Sequence, residues 1–276
     1  MSEHVEGRFV GAAGSEIYWQ GWLPGEAVGV AVVVHGYAEH SGRYTHVADR
    51  LVAAGFATYA IDHNGHGRSA GRRGNVERLT GVEADLDRLL RIAAERHPGL
   101  PVFVVAHSLG ALLALDYVLG TPYPLRGLVL SGTPLDVAVG SKAERIAAKV
   151  LSSVIPDVPV TPFAAGLVSR DPKVVAAYDA DPLNYRGRVK VRMGAEVLAG
   201  IDRVQPKLSA VELPLLILHG AADKVNLASG AERLAAEAGS PDVTLKVYPG
   251  LYHEVFNEPE QDQVLDDVAA WLTARL

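Results

Sequence analysis

Three residues of this chain have the types and the order that nucleophilic acyl chemistry needs: Ser108, Asp223 and His253. A serine hydroxyl is a weak nucleophile near neutral pH and requires a base within hydrogen-bond reach. That base is most often a histidine whose tautomer is fixed by a carboxylate. Ser108 lies in Pro101-Val-Phe-Val-Val-Ala-His-Ser-Leu-Gly110. Val102 to Val105 reads as a buried strand, and the strong helix formers from Ala111 to Leu119 read as a buried helix. Strand, sharp turn and helix form the context of a nucleophile elbow. Strand and helix crowd together there, so the positions two before and two after the serine must be small. They are Ala106 and Gly110. The common pattern is G-x-S-x-G, and Ala106 adds one methyl to it. Taken alone, the stretch can also be read as a helix start with Ser108 as its N-cap.

Asp223 sits in Gly220-Ala-Ala-Asp, after the apolar run Leu213 to Leu218. His253 sits in Pro249-Gly-Leu-Tyr-His, after Val243 to Tyr248. Singly, one is a turn aspartate and the other a loop histidine. Jointly they complete the chain order Ser, Asp, His at one sheet edge. His35 and His66 come too early in the chain to serve as that base, and His107 is expected to point away from its neighbour Ser108. A developing oxyanion needs donors as well. The amide after the nucleophile, Leu109, and one from the loop after an early strand, Tyr37, fill those positions. Losing one such donor costs on the order of 10²–10³ in rate. His35-Gly36 lets the backbone turn the Tyr37 amide inward; the plain alternative is a strand terminator.

The elements that must hold these groups alternate. Arg8 to Trp22 reads as an antiparallel pair, Val28 to Val34 as a strand, Tyr44 to Ala54 as a helix and Phe56 to Ile61 as a strand. Val82 to Arg96 is an amphipathic helix with Leu86, Leu89, Leu90 and Ala93 on one face. Leu125 to Leu130 is the strand after the elbow helix. Such alternation implies a mostly parallel sheet with ligands bound past the carboxyl ends of its strands. From Pro134 to Leu208 the rhythm breaks into helical pieces: Lys142 to Ile155, Ala164 to Ser169, Pro172 to Tyr178 and Val191 to Ile201. Residues 134–208 therefore read as a helical cap inserted into an α/β domain of residues 1–133 and 209–276. Strands at Leu213 to Leu218 and Val243 to Tyr248 follow, with helices at Ala228 to Ala238 and Gln261 to Leu276.

Composition narrows the classes. The 276 residues are 49% hydrophobic and 21% charged, ordinary for a globular enzyme. A net charge of −6 gives a nucleic-acid partner no electrostatic support. The absence of cysteine excludes disulfides and thiol nucleophiles. The polar N-terminus shows no Sec signal and no apolar run is long enough to span a membrane, so a cytoplasmic protein is expected. Oligomeric state is open, a dimer included.

The chain resembles the monoacylglycerol lipase family of α/β-hydrolases, in an actinobacterial-like form. The matching stretches are His35-Gly-Tyr-Ala-Glu-His-Ser-Gly-Arg-Tyr44, Asp62-His-Asn-Gly-His-Gly-Arg-Ser69, Ala106-His-Ser-Leu-Gly110, Ser169-Arg-Asp-Pro172, Tyr178 to Leu183, His219-Gly-Ala-Ala-Asp223 and Tyr248 to His253. The resemblance implies Ser108, Asp223 and His253 as catalytic triad, the Tyr37 and Leu109 amides as oxyanion hole, and no metal or organic cofactor. It also implies Glu39, Arg43 and Tyr178 at the polar end of the pocket, where glycerol would bind. Glu39 and Arg43 are equally readable as a surface ion pair. Two departures stand out: Ala106 replaces the family's usual glycine, and Leu109 stands where methionine is common.

The activity so implied is hydrolysis of monoacylglycerol to glycerol and fatty acid. A lysophospholipase or short-chain carboxylesterase would use the same triad, and a catalytically silent binding protein would use none of it. An epoxide hydrolase or dehalogenase of this fold places an aspartate where Ser108 stands. In Lys142 to Ile155 the residues Ile146, Val150, Leu151, Val154 and Ile155 recur at near-helical spacing. That face either packs on the α/β domain or makes transient contact with a lipid surface. Its few cations (Lys142, Arg145, Lys149) would anchor it only weakly.

Overall fold

The computed structural model describes residues 2–120, 122–136, 145, 150–162 and 165–276. Eight strands form one sheet: β1 (Glu3–Val10), β2 (Glu16–Leu23), β3 (Gly29–Val34), β4 (Phe56–Ile61), β5 (Val102–His107), β6 (Gly127–Ser131), β9 (Leu215–Gly220) and β10 (Val243–Tyr248). Their spatial order is β1-β2-β4-β3-β5-β6-β9-β10. The β1–β2 and β2–β4 pairs are antiparallel, and every other pair is parallel. The inner parallel strands explain their own composition. All six residues of β3, β4, β5 and β9 are buried, so both faces must be apolar, and these stretches read as continuous hydrophobic runs.

Helices cover both faces. On one lie α1 (Thr45–Ala53) and α7 (Gln261–Thr273), which contribute Val47, Leu51, Val264, Val268 and Trp271 to a common core. On the other lie α2 (Leu79–Arg96), α3 (Leu109–Val118) and α6 (Ala228–Glu237). Apart from Asp116 and Tyr117 near its end, helix α3 is apolar on every side because it is enclosed, packing against β5 and α2 and under α5 (Val191–Val204). The expected helix start at Ala111 moves to Leu109. The turn after β5 uses one residue, Ser108, rather than several.

Between β6 and β9 the chain leaves the sheet. The described part of this excursion holds a helical stretch at residues 150–154, a 3₁₀ turn at Ala165–Leu167, α4 (Pro172–Ala180) and α5. Residues 142–144, 146–149 and 164 of the expected helices lie outside the described residues, Lys142, Ile146 and Lys149 among them. A two-stranded antiparallel ribbon, β7 (Pro159–Thr161) with β8 (Val189–Lys190), was not expected. Two and three residues are too short to carry a readable alternation.

Candidate active site

Parallel strands end together, so the loops after β3, β4, β5, β6, β9 and β10 meet at one edge. Ser108 leaves β5 with φ 51° and ψ −114°, one of two non-glycine residues at positive φ among those described. Such a backbone costs on the order of 1–3 kcal/mol and persists only where the surroundings fix it. Here they do: the Ser108 amide donates to Ser131 O at 2.8 Å, and its carbonyl accepts from Ala111 and Leu112. Gly110 shows why that position must be small. A Cβ there would lie 2.2 Å from the Val34 carbonyl oxygen. Ala106 sits inside β5, paired with Val34 and Leu130 and fully buried, and its methyl is part of the core.

His253 Nε2 lies 2.9 Å from Ser108 Oγ, and His253 Nδ1 lies 2.7 Å from Asp223 Oδ2. Asp223 and His253 are buried, while Ser108 is partly exposed. The other Asp223 oxygen, Oδ1, accepts from the Val225 and Asn226 amides at 2.7 and 3.0 Å. Burial alone would raise this carboxyl, but hydrogen bonds from His219 and His253 and the backbone donor at Asn226 hold it well below the usual carboxylate range. The His107 ring packs on the His253 ring with centroids 4.7 Å apart, and its Nδ1 is 3.3 Å from Ser131 Oγ. Burial pushes His107 down to about 3, so it stands neutral beside His253.

The loop after β3 lies against the nucleophile. A Cβ on Gly36 would come 3.3 Å from Ser108 Cβ. Ala38 is the second positive-φ residue, at 66°. Its carbonyl accepts from the Tyr178 hydroxyl and the Tyr185 amide, both at 2.9 Å, so donors from the excursion hold this loop. The Tyr37 ring stands edge-on between His66 and Tyr185, and its hydroxyl donates to Gly74 O.

Glu39 and Arg43 form a buried group rather than a surface pair. Glu39 Oε1 accepts from the Gly36 amide at 2.7 Å and the Tyr44 hydroxyl at 2.8 Å, and Oε2 accepts from Arg43 at 2.6 Å. Arg43 also makes a bidentate bond to Glu254 at 2.8 and 2.7 Å and lies 4.8 Å from the Tyr178 ring centre. Burial and the neighbouring Glu254 charge push Glu39 up, against the pull of Arg43. Burial also acts upward on Glu254, but the Arg43 fork holds it low. Sequence reasoning missed Glu254 and His219. Glu254 follows His253 directly, yet nothing in the chain links it to an arginine 211 positions away. Among the described residues, no cluster of three or more His, Asp or Glu side chains is arranged to hold a metal ion.

The geometry has relatives. A family model described as serine aminopeptidase, S33, matches residues 25–260. The monoacylglycerol lipase of Mycolicibacterium smegmatis is 44% identical, over 100% of this chain and 99% of its own length. The monoglyceride lipase of Homo sapiens is 35% identical, over 96% of this chain and 89% of its own. Among solved structures, the Paleococcus ferrophilus monoacylglycerol lipase superposes with a TM-score of 0.83 at 27% identity, covering 100% of both chains. Identity of this extent, together with the parallel sheet and the strand–serine–helix turn, makes the chain a member of the monoacylglycerol lipase family of α/β-hydrolases.

Proposed function

We propose that this protein cleaves monoacylglycerols to glycerol and a free fatty acid through an acyl-enzyme on Ser108. The hydrogen-bonded line from Ser108 Oγ through His253 to Asp223 Oδ2, at 2.9 and 2.7 Å, carries the reading. The substrate class rests on the relatives named monoacylglycerol lipase.

Ser108 Oγ attacks the ester carbonyl as His253 Nε2 takes its proton, and Asp223 stabilises the imidazolium. The Tyr37 and Leu109 amides bind the oxyanion. Collapse of the tetrahedral intermediate breaks the ester bond, and His253 returns the proton to the departing glycerol oxygen. Water, deprotonated by His253, then releases the fatty acid and restores Ser108. Glu39, Arg43 and Tyr178 serve the glycerol end by holding the loop of residues 35–38 in shape.

Residues 134–208 act as a cap on a catalytic domain of residues 1–133 and 209–276. Its exposed run (Val150 at 60%, Leu151 at 45% and Val154 at 73%) supports transient contact with a lipid surface. No described helix is long and apolar enough to cross a membrane, so that contact is peripheral.

The test is a panel of mono-, di- and triacylglycerols, a lysophospholipid and a short synthetic ester, run on wild type and Ser108→Ala. Monoacylglycerol as the best substrate with a dead variant is the expected result. A dead variant with lysophospholipid or the short ester preferred keeps the triad and removes the substrate assignment.

A further inference from the structure

The Asp223 carboxylate is touched by a second histidine for which the acyl-transfer cycle has no use. His219, near the end of β9, is fully buried. Its Nε2 lies 2.9 Å from Asn226 O and 3.2 Å from Asp223 Oδ2. That is the carboxylate oxygen that also faces His253 Nδ1 at 2.7 Å. His219 Nδ1 is buried with no hydrogen-bond partner among the described residues. Both neighbours of Nε2 are oxygens and Nδ1 has no acceptor, so the ring proton belongs on Nε2. An N–H there donates to Asn226 O and also faces Asp223 Oδ2, at a nitrogen-to-oxygen distance of 3.2 Å. With two backbone amides on Oδ1 and His253 on Oδ2, the carboxylate accepts three hydrogen bonds, and the His219 Nε2–H is a fourth donor group beside it. The surrounding contacts leave little freedom. Asn226 Nδ2 donates to Gly132 O, and a Cβ on Gly132 would meet the His253 ring at 3.0 Å.

We propose that His219 is a positioning residue of the triad: its Nε2–H aims Asp223 Oδ2 at His253 and draws off part of that oxygen's charge. This rests on the reading of Ser108, Asp223 and His253 as the triad. An oxygen shared by two donors is a weaker acceptor for each. Without His219, the whole charge of Oδ2 falls on His253, whose ring then keeps a proton to higher pH and is lost as a base there. Other groups near His253 also act on it: His107 from β5, and Glu254, whose charge is matched by Arg43. The comparison of variants holds all of these constant.

The experiment uses the full chain and three substitutions. In His219→Gln, the amide nitrogen reaches the position of Nε2. In His219→Asn it stops short, and His219→Leu removes the donor outright. The kcat/KM profile against pH is measured on the panel's best ester, beside Ser108→Ala. His219→Gln is expected to keep the acid limb in place and to stay within about threefold of wild type. His219→Asn and His219→Leu are expected to move the acid limb to higher pH and to lose roughly tenfold or more in kcat/KM at neutral pH, the scale of one hydrogen bond to a charged group. An acid limb unmoved in the donor-free variants, or moved equally in His219→Gln, overturns the proposal. Unfolding of both donor-free variants in a urea titration assigns His219 to the fold and overturns it too. Activity surviving in Ser108→Ala takes down the triad reading itself, whereas a dead Ser108→Ala with an unmoved limb takes down only the role of His219.

Discussion

Two regions of this molecule treat polarity in opposite ways. At the carboxyl edge of the sheet, charged and polar groups are buried and matched to one another: Arg43 between two glutamates, Asp223 among four donor groups. Along residues 150–160 of the excursion, apolar side chains stand in solvent, among them Val154 at 73% and Val160 at 45%. The first arrangement fixes atoms, because a buried charge tolerates no loss of its partner. The second holds apolar surface that only a further apolar phase would cover. A lipase reading needs both, a rigid site for chemistry and an unsatisfied surface for capture.

Removing the cation from the matched region gives the largest expected effect. Arg43→Met leaves Glu39 and Glu254 buried without their partner and should cost about 3–5 kcal/mol in a urea titration. A loss under about 1 kcal/mol would mean that the buried group is not holding the edge together.

Acid should act on the same edge next. Burial pushes His63 and His107 down to about 3 and His66 to about 4, whereas in the unfolded chain such groups take up a proton near 6.5. Between those values the unfolded state binds more protons than the folded one, so stability is full above pH 6.5 and falls as pH drops toward 4 and then 3. A melting temperature constant from pH 7 to about pH 4 would contradict this.

The elbow offers a finer contrast. Gly110→Ala drives a Cβ to 2.2 Å from Val34 O and should cost about 1–3 kcal/mol in a thermal melt. Ala106→Gly removes only a methyl from β5 and should cost about 1 kcal/mol or less. Equal costs would mean that helix and strand are not crowded as described.

On the exposed region, Val150→Asp with Leu151→Asp should leave stability within about 0.5 kcal/mol. Turnover of a short soluble ester should also be unchanged. Partitioning to lipid vesicles should fall by about tenfold or more, since each buried apolar side chain contributes roughly 1.5–3 kcal/mol. Unchanged partitioning would remove the lipid-contact reading.

The sequence was most legible where one local rule acts alone. Strand β4 falls on Phe56–Ile61 as read, because a strand covered on both faces has no other composition open to it. Strand β10 also falls on Val243–Tyr248 as read, although it is the edge strand of the sheet and only half-buried. Ser108, Asp223 and His253 could be gathered at one edge from chain order alone, since each follows a strand whose direction the alternation sets. The Arg43–Glu254 pair and the donors from Tyr178 and Tyr185 to Ala38 were not legible. They join segments 140 or more positions apart, and no spacing encodes such contacts. For Glu39 and Arg43 the sequence left a pocket site and a surface pair equally open, because burial of a charge shows only when its third partner is known. The excursion was legible as a break in rhythm but not in detail, since its ribbon β7–β8 is shorter than a period can reveal.

Labelling with a fluorophosphonate, located by peptide mass spectrometry, tests the central claim most directly. Wild type, Ser108→Ala and His253→Ala would be treated in parallel at neutral pH. The account predicts a single adduct on Ser108 in wild type, none in Ser108→Ala, and labelling slowed by orders of magnitude in His253→Ala. An adduct on another residue, or a Ser108 rate indifferent to the loss of His253, would contradict it.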